Sequence, residues 1–339
     1  MIEFGSDFHV IDNFHGEKSI VNFYPNSQFL ADGRQCVLWL IDYFKWKRIW
    51  MPVYFCYEVV DTIKNSPVEV VFYEDSPLAN DTSLISKIDF KKGDVLLRVN
   101  FFGLRGFRSN VDIPVPVIED HSHDLIGEWA QKSDADWCIA SLRKTIPIPE
   151  GGILWSPKGF LGEKIFQRVE ENESLAQKRW RGMELKKLYL QGSIDDKNCF
   201  RNLYLDTEKE FERLPVSRLD DRSLEYIASF DIVTWYLQKS ENQKNLARIA
   251  SAYFKILNTE NSKCNPFSYI LLFEDTRRRD EVRENLIKRR VYPAILWNIC
   301  DSQSVEIQNI GDKILSVHCD GRYTEKDIEE LKQIIESVL

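Results

Sequence analysis

The chain has no uninterrupted apolar run of the ~20 residues that a bilayer-spanning helix requires, so no membrane partner is expected. Its first residues, MIEFGSDFHVIDNFHGE, carry acidic groups and no apolar core of signal-peptide length. No two of its seven cysteines stand at C-x-x-C spacing, and the count is odd. That pattern suits reduced thiols better than a disulfide framework or a zinc site, so a cytoplasmic protein without a metal is expected. Internal repeats and low-complexity segments are also missing. Positive charge is in deficit, 45 Lys and Arg against 53 Asp and Glu, a net -8 that argues against a nucleic-acid partner. What is present is ordinary for a globular chain: 43% hydrophobic and 29% charged residues in 339, enough for one large domain or two moderate ones.

The chemistry concentrates between Pro116 and Gly152, PVIEDHSHDLIGEWAQKSDADWCIASLRKTIPIPEGG. PVIEDHSH is a short β-rich run ending in charge and imidazole, the pattern of a buried strand that delivers polar groups at its carboxyl end. In DWCIASLRKTIPIPEGG, Lys144 follows a second apolar run and precedes Pro147, Pro149 and Gly151-Gly152. The prolines exclude a helix and the glycines permit a tight turn or close backbone approach, so the loop holds the lysine. A carboxylate and a lysine one strand apart are what pyridoxal phosphate (PLP) needs, a partner for its ring nitrogen and an amine for its Schiff base. The plainer reading is an aspartate that ends a strand and a lysine on the surface.

Earlier in the chain, Val37, Leu38, Leu40, Ile41 and Phe44 recur at helical spacing after Asp32-Gly33, which places Asp32 at an N-cap. Such a helix start is an anion site, or else simply a capped end. RIWMPVYFCYEVVDTIKN predicts strand, Pro52 turn and helix. PVEVVFYED and GDVLLRVNFFG predict interior strands of a parallel sheet. Residues 159–192 predict a charged helix with a solvated surface, and 193–215 an irregular polar stretch. The period from Ser217 to Leu257 predicts a long helix. Strands and helices from about 258 predict a small α+β unit, its last helix capped by Thr324 with Asp327. The expected division is 1–215, a connecting helix 216–257, and 258–339.

VIEDHSH followed by SLRKTIPIPEGG resembles the ED-x-x-Q/H and K-(loop)-EGG elements of DegT/DnrJ/StrS-type aminotransferases. The resemblance implies an α/β chain of PLP-dependent transferase fold type I, a large domain with a mostly parallel sheet plus a small C-terminal α+β domain. It implies a homodimer that aminates a keto-sugar, usually nucleotide-linked, from an amino acid donor such as glutamate, with pyridoxal 5'-phosphate joined to Lys144. Asp120 would bind the ring nitrogen, His123 would meet the phenolic oxygen, and Ser122 would lie beneath the ring. Asp32, Gly33, Arg34 and Gln35 stand at the family's phosphate-binding S-G-T/R-x-A-L, with Asp replacing Ser. Aligning Pro52 with the family's proline puts Cys56 where an aromatic stacks on the ring, and Tyr57 beside it is the substitute. The serine that normally precedes the lysine by five is Ile139, and Ser141 stands three before it as a phosphate donor. Arg143 is an unusual neighbour that would pair with phosphate or repel Lys144. Arg218 matches the arginine after an asparagine that is here Val216, and Arg322 would meet a substrate anion. Two alternatives stay open, another PLP reaction on a small carbonyl or amino compound, and a non-catalytic protein of the same fold.

Overall fold

A computed structural model describes residues 2–79, 81–159, 166–247, 249, 252–258, 264–299 and 304–339. Its centre is a seven-stranded sheet in the spatial order Gln28–Leu30, Gly152–Trp155, Trp137–Ser141, Val117–Asp120, Asp94–Val99, Arg48–Pro52, Glu69–Tyr73. The last five named run parallel, while Gly152–Trp155 is antiparallel to both its neighbours. The fold is therefore α/β with a mostly parallel sheet, as expected.

Alternation along these strands divides the apolar side chains between two cores. Ile118, Ile139 and Leu154 join one with the helix Gly33–Phe44, while Val117, Ala140 and Ile153 join the other with Trp180 and Trp235. Because the side-chain period is two, Asp120 lies on the Ile118 face and Glu119 on the Val117 face. Glu69–Tyr73 is an edge strand rather than an interior one, and Glu69 on it is exposed. Between Val99 and Val117 there is no α-helix, only a 3-10 turn at Phe101–Gly103 and an extended connection.

A three-stranded antiparallel sheet, Ile314–Val317, Tyr269–Phe273 and Phe254–Ile256, forms the second unit with the helices Thr276–Lys288 and Glu325–Glu336. It begins at Phe254, within the expected connecting segment, and Phe4–Gly5 at the other end of the chain pair with Val291–Tyr292. Thr324 caps the last helix with Asp327 in a capping box. The expected single long helix is two, Asp221–Ser229 and Ile232–Leu246, because Asp231 caps a new start through its side chain. The expected irregular stretch contains the helix Asn198–Glu210, whose buried Phe200, Tyr204 and Thr207 stand at helical spacing. The charged helix runs Glu170–Leu190, and the predicted beginning over 160–165 lies outside the described residues. Its surface is not all solvated: Arg179 and Lys186 are buried.

Candidate active site

The site forms where three chain segments meet at the carboxyl ends of the central strands. Asp120 ends its strand 8% exposed, and its Oδ1 accepts the Ser122 N–H at 2.8 Å. Ser122 Oγ in turn accepts the Ser141 N–H at 2.8 Å, so the turn after one strand is tied to the end of the next. Lys144 sits in a 3-10 turn, Leu142–Lys144, immediately beyond Ser141. The predicted tight loop is built by the glycine pair. Gly151 takes φ +115°, and its N–H reaches the Ala31 carbonyl at 2.8 Å. A Cβ on Gly152 would come within 2.4 Å of the Asp32 carbonyl. These contacts bring the start of the helix Gly33–Phe44 beside Ser141, where a Cβ on Gly33 would lie 2.9 Å from the Ser141 Cβ.

Together these segments line a cavity of about 190 Å3. Asp32, Gly33, Arg34, Asp120, Ser122 and Ser141 line it, as do Cys56, His123 and Lys144. Two candidates fall outside. Tyr57 stacks on Phe72 at 6.1 Å and donates to the Val53 carbonyl at 3.3 Å, so it is no substitute for a stacking aromatic. Gln35 is spent on structure: its amide donates to Asn172 Oδ1 at 3.0 Å and accepts the Ser217 N–H at 3.0 Å.

Other roles shift. Asp32 holds the N-cap position without capping, because its Oδ2 pairs with Arg34 Nε at 2.9 Å. That pair is an ion contact without hydrogen-bond alignment, and both atoms are buried and otherwise unpartnered. The pairing compensates a carboxylate that would otherwise repel a phosphate, and it occupies the Arg34 guanidinium. Arg143 turns to Glu208, Nη2 to Oε1 at 2.8 Å, and lies over the Phe211 ring. Arg218 pairs with Asp221.

His123 Nδ1 accepts the Phe102 N–H at 3.1 Å. Burial, reinforced by Lys144 and Lys239, holds its pKa well below the usual imidazole range. The ring is therefore neutral, with its proton on Nε2. Behind the strand, on the opposite face, Glu119 accepts from Asn110 at 2.7 Å and Ser133 at 2.6 Å and contacts His121 Nε2 at 3.0 Å. Burial pushes the Glu119 carboxyl up, but the His121 contact and these hydrogen bonds outweigh it, and its pKa is lowered. Cys138 completes a buried group whose ligand-type atoms lie within 4.8 Å of one another. With its carboxylate already shared among these partners, the group reads as a hydrogen-bond anchor for the strand that carries Asp120.

Trp297, which sequence reasoning missed, lines the same cavity. Its ring lies parallel to His123 at 5.6 Å and 20°, with Lys144 Nζ 5.7 Å from its centroid. Only a sequence separation of more than 150 residues concealed it; no local pattern marks Trp297.

Pyridoxal phosphate can be tested against these residues directly. The cavity offers a buried carboxylate, a lysine amine, and a helix start packed too closely for any residue but glycine, and these donors fit the group. No protein-family model and no curated protein sequence matches the chain. Solved structures do. PseC of Helicobacter pylori, an aminotransferase of pseudoaminic acid biosynthesis, aligns at 12% identity over 99% of each chain with a TM-score of 0.66. A Streptococcus pneumoniae protein assigned as a sugar aminotransferase, in its PLP form, aligns at 11% over 100% of each chain with a TM-score of 0.64. A DegT DnrJ EryC1 StrS aminotransferase of Brucella abortus gives 11% over 96% of this chain and 91% of its own, with a TM-score of 0.57. At such identities the likeness establishes the fold: this chain has the architecture of the fold-type I aminotransferases.

Proposed function

We propose that the chain is a PLP-dependent aminotransferase that transfers an amino group from an amino acid, glutamate in the simplest case, to a keto-sugar, nucleotide-linked as in the resembling family. One observation carries this reading: Asp120, Lys144, Ser141 and Gly33, from three separate segments, converge on one cavity. A fold retained only for binding has no need to keep both the carboxylate and the amine there. Over two half-reactions the amino acid leaves as its 2-oxo acid and the carbonyl compound leaves as an amine, so no outside oxidant is required.

Bound in this cavity, pyridoxal phosphate would supply an electron-accepting ring joined to nitrogen. Asp120 would hold a proton on the ring nitrogen, its carboxylate kept in place by the Ser122 N–H. Lys144 Nζ would carry the cofactor when resting and move protons when released from it. The Gly33 helix start and Ser141 would bind the phosphate. His123, neutral, would offer its Nε2–H to an oxygen and not a second positive charge.

The helices of the described residues include none long and apolar enough to cross a membrane. A cytoplasmic homodimer completes the proposal. The purified protein should absorb visibly with PLP, lose that absorbance on adding glutamate, and regain it with a keto-sugar acceptor. A colourless protein that leaves glutamate unchanged would refute the reading.

A further inference from the structure

The end of the cavity assigned to the phosphate carries a carboxylate of its own. Asp32, 4% exposed, lines the cavity immediately before Gly33 and makes no side-chain cap to the helix it precedes. Its Oδ2 is buried against Arg34 Nε at 2.9 Å, and neither atom has a hydrogen-bond partner. Among the described residues no hydrogen bond reaches Oδ1 either, so a buried acceptor stands uncommitted in the cavity wall. Buried acceptors in this state are costly until a donor meets them.

The surrounding charge favours a donor that arrives with the ligand. Asp32 and Arg34 together are neutral, and Arg34 Nη1 also reaches Thr62 Oγ1 at 3.4 Å. Arg143 is attracted by Asp32 as well, but both of its terminal nitrogens lie on Glu208, at 2.8 and 3.4 Å. Glu58, exposed in the first turn of the helix Tyr57–Lys64, adds a negative charge to the same wall. Asp120, Lys144 and the neutral His123 are assigned to the ring of the cofactor. What remains for the phosphate is the start of the helix Gly33–Phe44, worth about half a positive charge. A dianion would set its oxygens against Asp32 Oδ1 with too little positive charge to offset the repulsion. A monoanion keeps one P–O–H, and that group donates to Oδ1 in a charge-assisted hydrogen bond.

We infer that Asp32 makes this site selective for the protonated, monoanionic form of the cofactor phosphate, with the phosphate O–H donated to Asp32 Oδ1. The inference deepens the PLP reading and rests on it. A phosphate monoester loses its second proton at about pH 6, so above that pH binding takes up one proton from solvent. Affinity through the phosphate therefore falls as pH rises.

The test compares PLP with pyridoxal, which lacks the phosphate, by absorbance titration of the apo-protein, together with phosphorus NMR of the PLP complex. Lys144 and Asp120 act on both ligands alike, so the ratio of the two affinities isolates the phosphate end. In the wild type that ratio should fall about tenfold between pH 7 and pH 8, the slope of one proton. The phosphorus resonance of the bound cofactor should stay at the monoanion position at pH 8. Asp32→Asn removes the carboxylate charge and releases Arg34 to the phosphate. Its ratio should be flat over the same range, and its resonance should move to the dianion position. The wild-type resonance needs no variant, so a poorly folding Asp32→Asn leaves the test intact. A flat ratio or a dianion resonance in the wild type would overturn the inference, as would an unchanged monoanion resonance in Asp32→Asn. A protein that binds monoanionic PLP but leaves glutamate unchanged would keep the role of Asp32 and refute the aminotransferase reading. A protein that binds no PLP would refute both.

Discussion

The Ser141 N–H donates to Ser122 Oγ at 2.8 Å, a side-chain bond that, with the His121 N–H on the Ile139 carbonyl and Thr145 Oγ1 on the Ser122 carbonyl, joins the turn after Asp120 to the strand end that leads into Lys144. Ser122→Ala should leave a buried N–H without a partner, which costs about 1–3 kcal/mol. A lower melting temperature together with weaker PLP binding is expected. Ser122→Thr, which keeps the acceptor, should restore most of both, and failure of that rescue would deny the bond its linking role.

Asp120→Asn keeps an acceptor for the Ser122 N–H but removes the charge. Apo stability should change little, whereas amino transfer should fall about 10²–10³-fold, the effect of removing one well-placed electrostatic group. Single-turnover loss of the visible absorbance with glutamate measures it. A near-normal rate would move the electron-sink role to another group.

Gly33 packs against Ser141 so closely that even a methyl group must displace the strand end. Gly33→Ala is therefore expected to lose about 1–3 kcal/mol of apo stability by overpacking and also to weaken PLP. Arg34→Ala separates the two effects. Its guanidinium is committed to Asp32, so its loss leaves a bare carboxylate at the phosphate end, and PLP affinity should fall more than stability does. Equal losses would make residues 32–35 purely structural.

Glu150 lies in the loop behind Lys144, and its Oε1 accepts the Asp220 N–H at 2.9 Å. Burial, with Asp220 nearby, raises its pKa to about 8. The folded state therefore holds a proton that the unfolded chain releases near the ordinary carboxyl value. The sign follows: stability falls as pH rises from about 4.5 to about 8, by an amount on the order of a few kcal/mol. Glu150→Gln keeps the acceptor and should flatten that slope, raising the melting temperature at pH 8 more than at pH 6. Parallel pH profiles for the two proteins would contradict this.

The sheet strands and the loop around Lys144 were legible because their signals are local: alternation, prolines, and a Gly-Gly pair. The helix Asn198–Glu210 was hidden by its polar composition, although Phe200, Tyr204 and Thr207 carried the spacing. Arg179 and Lys186 read as solvated charge because their partners, Asp7, Glu208, Ser6 and Glu3, lie elsewhere in the chain. Tyr57 stood one residue from the correct place in sequence, but the helix that begins there turns it away from the cavity. Trp297 comes from the opposite end of the chain, and contact at that distance leaves no trace in a single sequence.

Trp297 lines the cavity together with Phe55, and supplies an aromatic face there that Cys56 cannot. Trp297→Ala should weaken PLP binding by about 0.5–1.5 kcal/mol, and Trp297→Phe by less. Binding should also quench Trp297 fluorescence in a way the alanine variant lacks. Unchanged affinity and unchanged quenching would remove it from the site.

Lys144 is the amine proposed to hold the cofactor. Borohydride reduction of the PLP-loaded protein, followed by digestion and mass mapping, reads this directly. The pyridoxyl label should fall on Lys144 in the peptide that contains TIPIPEGG, and Lys144→Ala should take up none. A label on any other lysine, or undiminished labelling of Lys144→Ala, would contradict the claim.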